Sequence, residues 1–123
     1  MRIEYPLSQR FPNLKLFTTT RLGGVSKGNY ATFNPGPFSG DKPEDVAENL
    51  KLLSTELNVA PENIIFPYQM HQTGVKKIDA GFMKLTSTEK DACLHGIDAL
   101  VTDLRDICIG VTTADCVPVF FYD

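Results

Sequence analysis

The sequence has 123 residues, a length that fits one small domain or a part of a larger one. Its 42% hydrophobic and 22% charged residues are typical of a globular protein and exclude a disordered chain. The net charge of -3 does not favour binding to nucleic acid, which needs a basic surface. No apolar run is close to the length of about 18 residues that a membrane helix needs.

The cysteines and the N-terminus indicate a cellular compartment. The spacing of the three cysteines is not that of a disulfide framework; they are Cys93, Cys108 and Cys116. The first residues lack the basic, then apolar, then small-residue order of a secretory signal. Together these features predict reduced thiols in a cytoplasmic protein.

A long glycine-rich loop follows the first predicted strand, which covers residues 15–20. Paired glycines, Gly23 and Gly24, and two later prolines exclude a helix there. A loop of about twenty residues is long for a simple connection, so we expect a functional loop. Arg21 beside the glycines would suit an anion, because it offers a bidentate fork near exposed backbone amides. On sequence grounds alone, a solvated arginine is an equally good interpretation.

One helix is clear in the sequence. Asp41 begins a capping pattern that Glu44 completes, and Asn58 is placed to end the helix. The apolar residues between them recur every three or four positions: Val46, Leu50, Leu53 and Leu57. The pattern predicts an amphipathic helix that packs on a sheet and carries no chemistry.

The second half of the chain reads as a series of short strands. We place them at residues 64–66, 75–78, 98–102, 107–113 and 117–122. Residues 80–95 are mostly polar and are interpreted as an exposed loop with a helical turn. The last strand is apolar throughout, which is typical of a strand covered on both faces. We therefore expect further chain, or a partner chain, to pack on it.

Two residues have the chemistry of metal ligands. His71 follows a predicted strand close to a turn, and Cys116 lies between two apolar strands. A thiolate and a neutral imidazole are zinc donors, and catalytic zinc usually takes three protein ligands and a water molecule. From these residues alone, a structural histidine and an inert buried thiol are the commoner interpretations.

The other histidine and cysteines are weaker candidates. His95 forms a Cys-x-His pair with Cys93, which is not a recognised zinc spacing. Cys108 falls inside an apolar run. We expect no metal at these positions and a core location for Cys108.

The order of five sequence blocks resembles that of the laccase-domain (polyphenol-oxidase-type) family. The blocks lie at residues 18–26, at residues 30–43 with Asn49 of the helix that follows, and at residues 69–71, 98–102 and 113–119. The last block matches the family's T-A-D-C-x-P-V signature closely, and the third resembles Q-V-H. The resemblance covers most of the chain from Phe17 onward. One departure is Gln72, where the family usually has glycine; a side chain there would narrow access to the metal.

The resemblance implies a fold and a metal site. The expected fold is α/β, with mixed β-sheets and packed helices, and residues 1–123 would be the N-terminal part of one catalytic domain. Zinc would be bound by His71, by Cys116 and by a second histidine of an H-A-G-W-R-G block that would lie beyond Asp123. Asp115 would join His71 and Cys116 as a catalytic residue that orients a ligand or moves a proton.

The resemblance also implies a substrate loop. Phosphate or the ribose 5′ side would contact the glycine-rich loop and the residues that follow it. The residues expected to bind substrate are Arg21, Gly24, Ser26 and Asn34.

The activities that the resemblance implies are those of a transferase and a hydrolase. Family members are described as phosphorolysing adenosine, inosine and methylthioadenosine and as deaminating adenosine; some are linked to peptidoglycan editing. The implied partners are purine nucleosides and phosphate, together with a homo-oligomer or a completing chain, and neither nucleic acid nor a membrane.

Two alternatives remain open at this stage. Older descriptions of the family give copper-dependent, laccase-like polyphenol oxidases, but copper sites favour several histidines and this sequence has two. The other alternative is a non-catalytic fragment, or a chain that contributes half of a site to a partner.

Overall fold

Three small two-stranded sheets and four helices form the part of the chain that the computed structural model describes, residues 2–123. The strands are β1 (Arg2–Glu4), β2 (Phe17–Thr19), β3 (Ile64–Ile65), β4 (Val75–Lys77), β5 (Ala99–Val101) and β6 (Cys108–Ile109). The helices are α1 (Leu7–Arg10), α2 (Pro43–Leu57), α3 (Ala80–Met83) and α4 (Ser87–Leu94). Short 3₁₀ turns lie at Gly28–Tyr30 and Pro61–Asn63.

The strand pairing mixes the two directions. β1 and β2 are antiparallel, whereas β3 pairs with β6 and β4 pairs with β5 in parallel. Each parallel pair joins strands that are far apart in sequence, with Ile64 opposite Cys108 and Val75 opposite Ala99. The α/β prediction with mixed sheets is therefore confirmed.

The chain divides into two compact units, one extending to Leu53 and the other spanning Ser54–Asp123. The first unit contains β1, β2 and the glycine-rich loop. The second unit contains the four later strands with α3 and α4. No helix in the described part of the chain has the length and hydrophobicity that crossing a bilayer requires.

Helix α2 forms where the sequence predicts it, although it begins at Pro43, so that Lys42 and not Asp41 directly precedes its first residue. The backbone amide of Lys42 donates to the Asp41 carboxylate, and Pro43 occupies the first turn, where its missing amide costs nothing. Asn58 ends the helix in the left-handed region, with φ of 55°. Three residues of the predicted apolar stripe are buried: Val46, Leu53 and Leu57.

The interpretation of residues 80–95 as an exposed loop was wrong, because this segment forms α3 and α4. Thr86 and Glu89 make a reciprocal capping box at the start of α4, which satisfies two amides that a helix end would leave without partners. Phe82 and Leu94 are buried in the core of the second unit together with Ile65 and Ile78. Met83, Leu85 and Cys93 of the same segment pack against this core.

The predicted strand at residues 117–122 is also not observed. No strand in the described range pairs with this segment, so its amides and carbonyls form no ladder. Its side chains are largely exposed, with relative accessibilities of 84% for Val117 and 95% for Phe121. Of the strand predicted over residues 107–113, only β6 is observed, because within the described range only Cys108 and Ile109 pair with another strand.

Candidate functional site

The loop that carries His71 begins at Tyr68, which is hydrogen-bonded to the end of α4 and to Gly96. The amide of Tyr68 donates to the carbonyl of Leu94 at 2.9 Å, and the amide of Gly96 donates back to the carbonyl of Tyr68 at 3.0 Å. The ring of Tyr68 stacks on that of His95, with centroids 4.7 Å apart. These contacts fix the start of a tight turn that exposes the next residues, Met70 to Gln72.

His71 has a backbone conformation that few non-glycine residues adopt. Its φ is 56°, in the left-handed region. The carboxylate of Asp98 stabilises this turn by accepting the amides of Met70 at 3.1 Å, His71 at 2.8 Å and Gln72 at 2.9 Å. Three amide donors thus form a small cradle around one carboxylate and hold the backbone of the exposed turn at His71.

The same cradle affects the ionisation of Asp98. Desolvation acts to raise its pKa, but the amide hydrogen bonds from Gln72, His71 and Met70 together outweigh that effect. The pKa of Asp98 therefore lies below its ordinary value, and this carboxylate stays charged at neutral pH.

Gln69 joins the His71 loop to the segment that leads to Cys116. Its Nε2 donates to the carbonyl of Thr112 at 3.1 Å. Its Oε1 accepts both the amide of Thr112 at 2.8 Å and the Thr112 hydroxyl at 3.0 Å. One side-chain amide thus makes three hydrogen bonds to one residue, 43 positions further along the chain.

Cys116 lies at the end of that segment and is exposed. Its Sγ is 4.0 Å from Oδ1 of the neighbouring Asp115, a long and weak contact. Within residues 2–123, no group of three or more His, Cys, Asp or Glu side chains is arranged to bind a metal. The roles predicted for His71, Asp115 and Cys116 therefore stay predictions.

The donor types nevertheless fit zinc. An exposed imidazole and an exposed thiol are accessible to an ion from solvent, and both are ligands that zinc prefers. Gln69 connects the segment that leads to His71 with the segment that leads to Cys116, so the two zinc-type donors follow segments that are joined by hydrogen bonds.

The first unit contains the predicted substrate loop. The Nε of Arg21 donates to the carbonyl of Ala31 at 2.9 Å, and the Arg21 carbonyl accepts the amides of Thr32 and Phe33. The described residues provide no hydrogen-bond or ion-pair partner for the two terminal nitrogens of Arg21. An exposed guanidinium held at Nε keeps those nitrogens accessible to an anion.

The other predicted substrate residues support the loop itself. Ser26 is 2% exposed; its hydroxyl donates to Asp41 at 2.6 Å and accepts the Asn49 side-chain amide at 2.8 Å. Asn34 donates to the same Asp41 carboxylate at 3.2 Å. The Ser26 hydrogen bond, aided by those from the Lys42 amide and Asn34, holds the pKa of Asp41 below its ordinary value despite desolvation. Substrate binding by Ser26 and Asn34 remains a prediction.

Gly24 lies where no side chain fits. A Cβ at this position would overlap the Asn49 amide oxygen, the carbonyl oxygen of Thr32 and the Cα of Phe33. The Gly24 amide donates to the Thr32 hydroxyl at 3.3 Å, so this donor is already used within the loop. The structure thus gives Gly24 a packing role, and its predicted contact with substrate is not tested.

Sequence reasoning overlooked three residues that hold these loops. Asn49 is fully buried on α2 and binds the glycine-rich loop, while Gln69 and Asp98 hold the His71 loop. Each lies inside a sequence block that the family resemblance had marked. Two of them could have been found in the sequence as polar residues with apolar neighbours. Asn49 lies on the apolar stripe of a helix, and Asp98 directly precedes a short strand.

Comparison with known proteins settles the family. A family model described as multi-copper polyphenol oxidoreductase laccase matches residues 15–123. The chain belongs to this family. It is 41% identical over 121 residues to a purine nucleoside phosphorylase of Bacteroides thetaiotaomicron, covering 98% of this chain and 45% of that relative. It is 37% identical to adenosine deaminase RL5 of an unknown prokaryotic organism, covering 89% of this chain and 42% of the relative.

Solved structures agree with this assignment. The Bacillus licheniformis protein YfiH aligns with a TM-score of 0.72 at 26% identity, over 83% of this chain and 38% of that one. YlmD of Geobacillus stearothermophilus aligns with a TM-score of 0.67 at 30% identity, over 80% of this chain and 36% of that one. The chain spans less than half the length of the curated relatives it matches.

Substitution of Gly24 tests the packing of the glycine-rich loop. Gly24→Ala should lower the free energy of unfolding by about 1–3 kcal/mol, because the added methyl group displaces Asn49 or the Thr32 carbonyl. Gly28→Asn is the matched control, since a Cβ at Gly28 meets nothing within 4 Å and asparagine tolerates its φ of 61°. Urea denaturation measures both; equal midpoints for Gly24→Ala and the unsubstituted chain would contradict the packing role.

Cys108 and Cys116 should differ in reactivity. Burial raises the pKa of the Cys108 thiol to about 11, so little reactive thiolate is present at neutral pH, whereas Cys116 is exposed. Iodoacetamide should therefore modify Cys116 well before Cys108, and the Cys108 rate should rise as the pH approaches 11. Peptide mass spectrometry measures each rate, with the urea-unfolded chain as control. Equal rates in the folded chain would contradict this assignment.

Proposed function

We propose that this chain is the N-terminal part of a zinc-dependent enzyme that phosphorolyses purine nucleosides and deaminates adenosine. The proposed substrates are adenosine, inosine and methylthioadenosine. The names of its relatives support both reactions, since they include purine nucleoside phosphorylases and an adenosine deaminase. The observation that carries the proposal is the Gln69 contact with Thr112, which joins the loop of His71 to the segment of Cys116.

His71 and Cys116 would hold the zinc ion as two protein ligands, and a histidine from outside residues 1–123 would be the third. Zinc in such a site acts as a Lewis acid toward a substrate or a water molecule. Asp98 would keep the His71 loop in its unusual conformation through the three amide hydrogen bonds. Asp115, next to Cys116, would orient a ligand or carry a proton.

Phosphorolysis needs an anion site in addition to the metal. In this reaction a phosphate oxygen replaces the purine nitrogen at the ribose carbon, so phosphate must be held beside the nucleoside. Arg21 would supply this contact, because its Nε is anchored on Ala31 while its terminal nitrogens remain exposed. Gly24, Ser26 and Asn34 would contribute mainly by keeping the Arg21 loop in shape.

The Cys116 thiol is the most direct test of the metal proposal. In the complete protein, Cys116→Ser should remove zinc and both activities together, because a hydroxyl is a far weaker zinc donor than a thiolate. Cys93→Ser is the matched control, since Cys93 packs against the core and is not a proposed ligand. Elemental analysis and assays of adenosine phosphorolysis and deamination measure the outcome. Full activity without zinc, or copper with oxidation of phenols, would contradict the proposal.

Arg21 tests the anion site separately. Arg21→Ala should raise the KM for phosphate about tenfold or more, the effect of losing a hydrogen bond to a charged group worth about 1.5–3 kcal/mol. Deamination of adenosine uses water in place of phosphate, so its rate is an internal control and should change little. An unchanged phosphate KM would exclude Arg21 from the anion site.

A further inference from the structure

We infer that Gln69 is a positioning residue that sets the separation of the two proposed zinc-ligand segments, by binding Thr112 through both atoms of its side-chain amide. This inference rests on the proposed function, because it takes His71 and Cys116 as ligands. It assigns Gln69 no contact with metal or substrate. Its role is to act through the backbone at Thr112.

The hydrogen bonds are specific to a side-chain amide of this length. Gln69 donates one hydrogen bond to the Thr112 carbonyl and accepts two from the Thr112 amide and hydroxyl. The hydrogen bonds to the Thr112 carbonyl and from the Thr112 amide satisfy the backbone acceptor and donor of one residue, as a neighbouring strand would in a sheet. Glutamate accepts but cannot donate, and leucine does neither.

The chain lengths on each side of this contact are short. His71 lies two residues after Gln69, and Cys116 lies four residues after Thr112. At roughly 3.5 Å per residue, His71 is within about 7 Å of one end of the contact and Cys116 within about 14 Å of the other. Small movements at Thr112 therefore change the separation of the two ligands directly.

Gln69 and Asp98 act on different segments. Asp98 accepts hydrogen bonds from the amides of Met70, His71 and Gln72. The described side-chain hydrogen bonds of Thr112 are made with Gln69 and not with Asp98. Loss of the Gln69 amide would therefore release the Thr112 segment while the His71 turn stays formed. This difference separates a positioning role from general destabilisation.

Zinc protection of Cys116 is the experiment that tests the inference. The complete protein, which would include the third ligand, is alkylated with iodoacetamide over a range of zinc chloride concentrations, and mass spectrometry measures the zinc concentration that halves the rate of Cys116 modification. Gln69→Leu should raise this concentration about tenfold or more, the usual effect of removing a group that orients metal ligands. Gln69→Glu, which keeps two accepted hydrogen bonds, should give an intermediate value.

Controls distinguish the possible failures. Gln9→Leu, at an exposed position of α1 in the first unit, should leave the zinc concentration unchanged. The amide resonances of residues 70–72 should keep their positions in Gln69→Leu, because the Asp98 contacts persist. If Gln69→Leu does not fold, Gln69→Glu decides the question.

Three results would each contradict a different claim: the positioning role, the pair of metal ligands, or a role specific to Thr112. Equal protection of Cys116 in Gln69→Leu, Gln69→Glu and the unsubstituted chain would overturn the positioning role and leave the zinc proposal intact. No protection in the unsubstituted chain, or protection that His71→Ala leaves unchanged, would overturn the metal pair itself. Displaced resonances of residues 70–72 in both Gln69 variants would show a collapsed turn and overturn a role specific to Thr112.

Discussion

The placement of the candidate site depends on side chains that bind backbone, foremost the amide of Gln69 on Thr112. The strands of the second unit are only two or three residues long, so their ladders fix little of the loops that follow them. Gln69 and Asp98 compensate by satisfying backbone groups at the exposed turn and at the segment before Cys116. Hydrogen bonds from side chains thus take the place of sheet hydrogen bonds in the segments where the metal site is proposed.

The glycine-rich loop of the first unit follows the same principle. Asn49 is fully buried and reaches from α2 to the amide of Val25, the hydroxyl of Ser26 and the carbonyls of Thr32 and Asn34. A buried amide without these partners would be costly, and with them it holds a loop that lacks regular structure. Arg21 is then presented on a fixed backbone, as recognition of an anion requires.

The sequence predicted those features that depend on local pattern. Helix α2 was readable from its apolar spacing, and the short strands from their β-branched residues. The segment of α3 and α4 was misread because its few apolar residues, including Phe82 and Leu94, gave little periodicity. The contact between Gln69 and Thr112 spans 43 positions, and no local spacing predicts a tertiary hydrogen bond.

The chemistry proposed here requires that an imidazole and a thiolate meet at one metal ion, although their segments come from distant parts of the chain. X-ray absorption at the zinc edge of the purified, zinc-loaded protein tests this requirement most directly. The proposed site should show one sulfur ligand at about 2.3 Å, from Cys116, with imidazole nitrogen from His71 at about 2.0 Å. A zinc environment of oxygen and nitrogen only, without sulfur, would contradict the proposed pair of ligands.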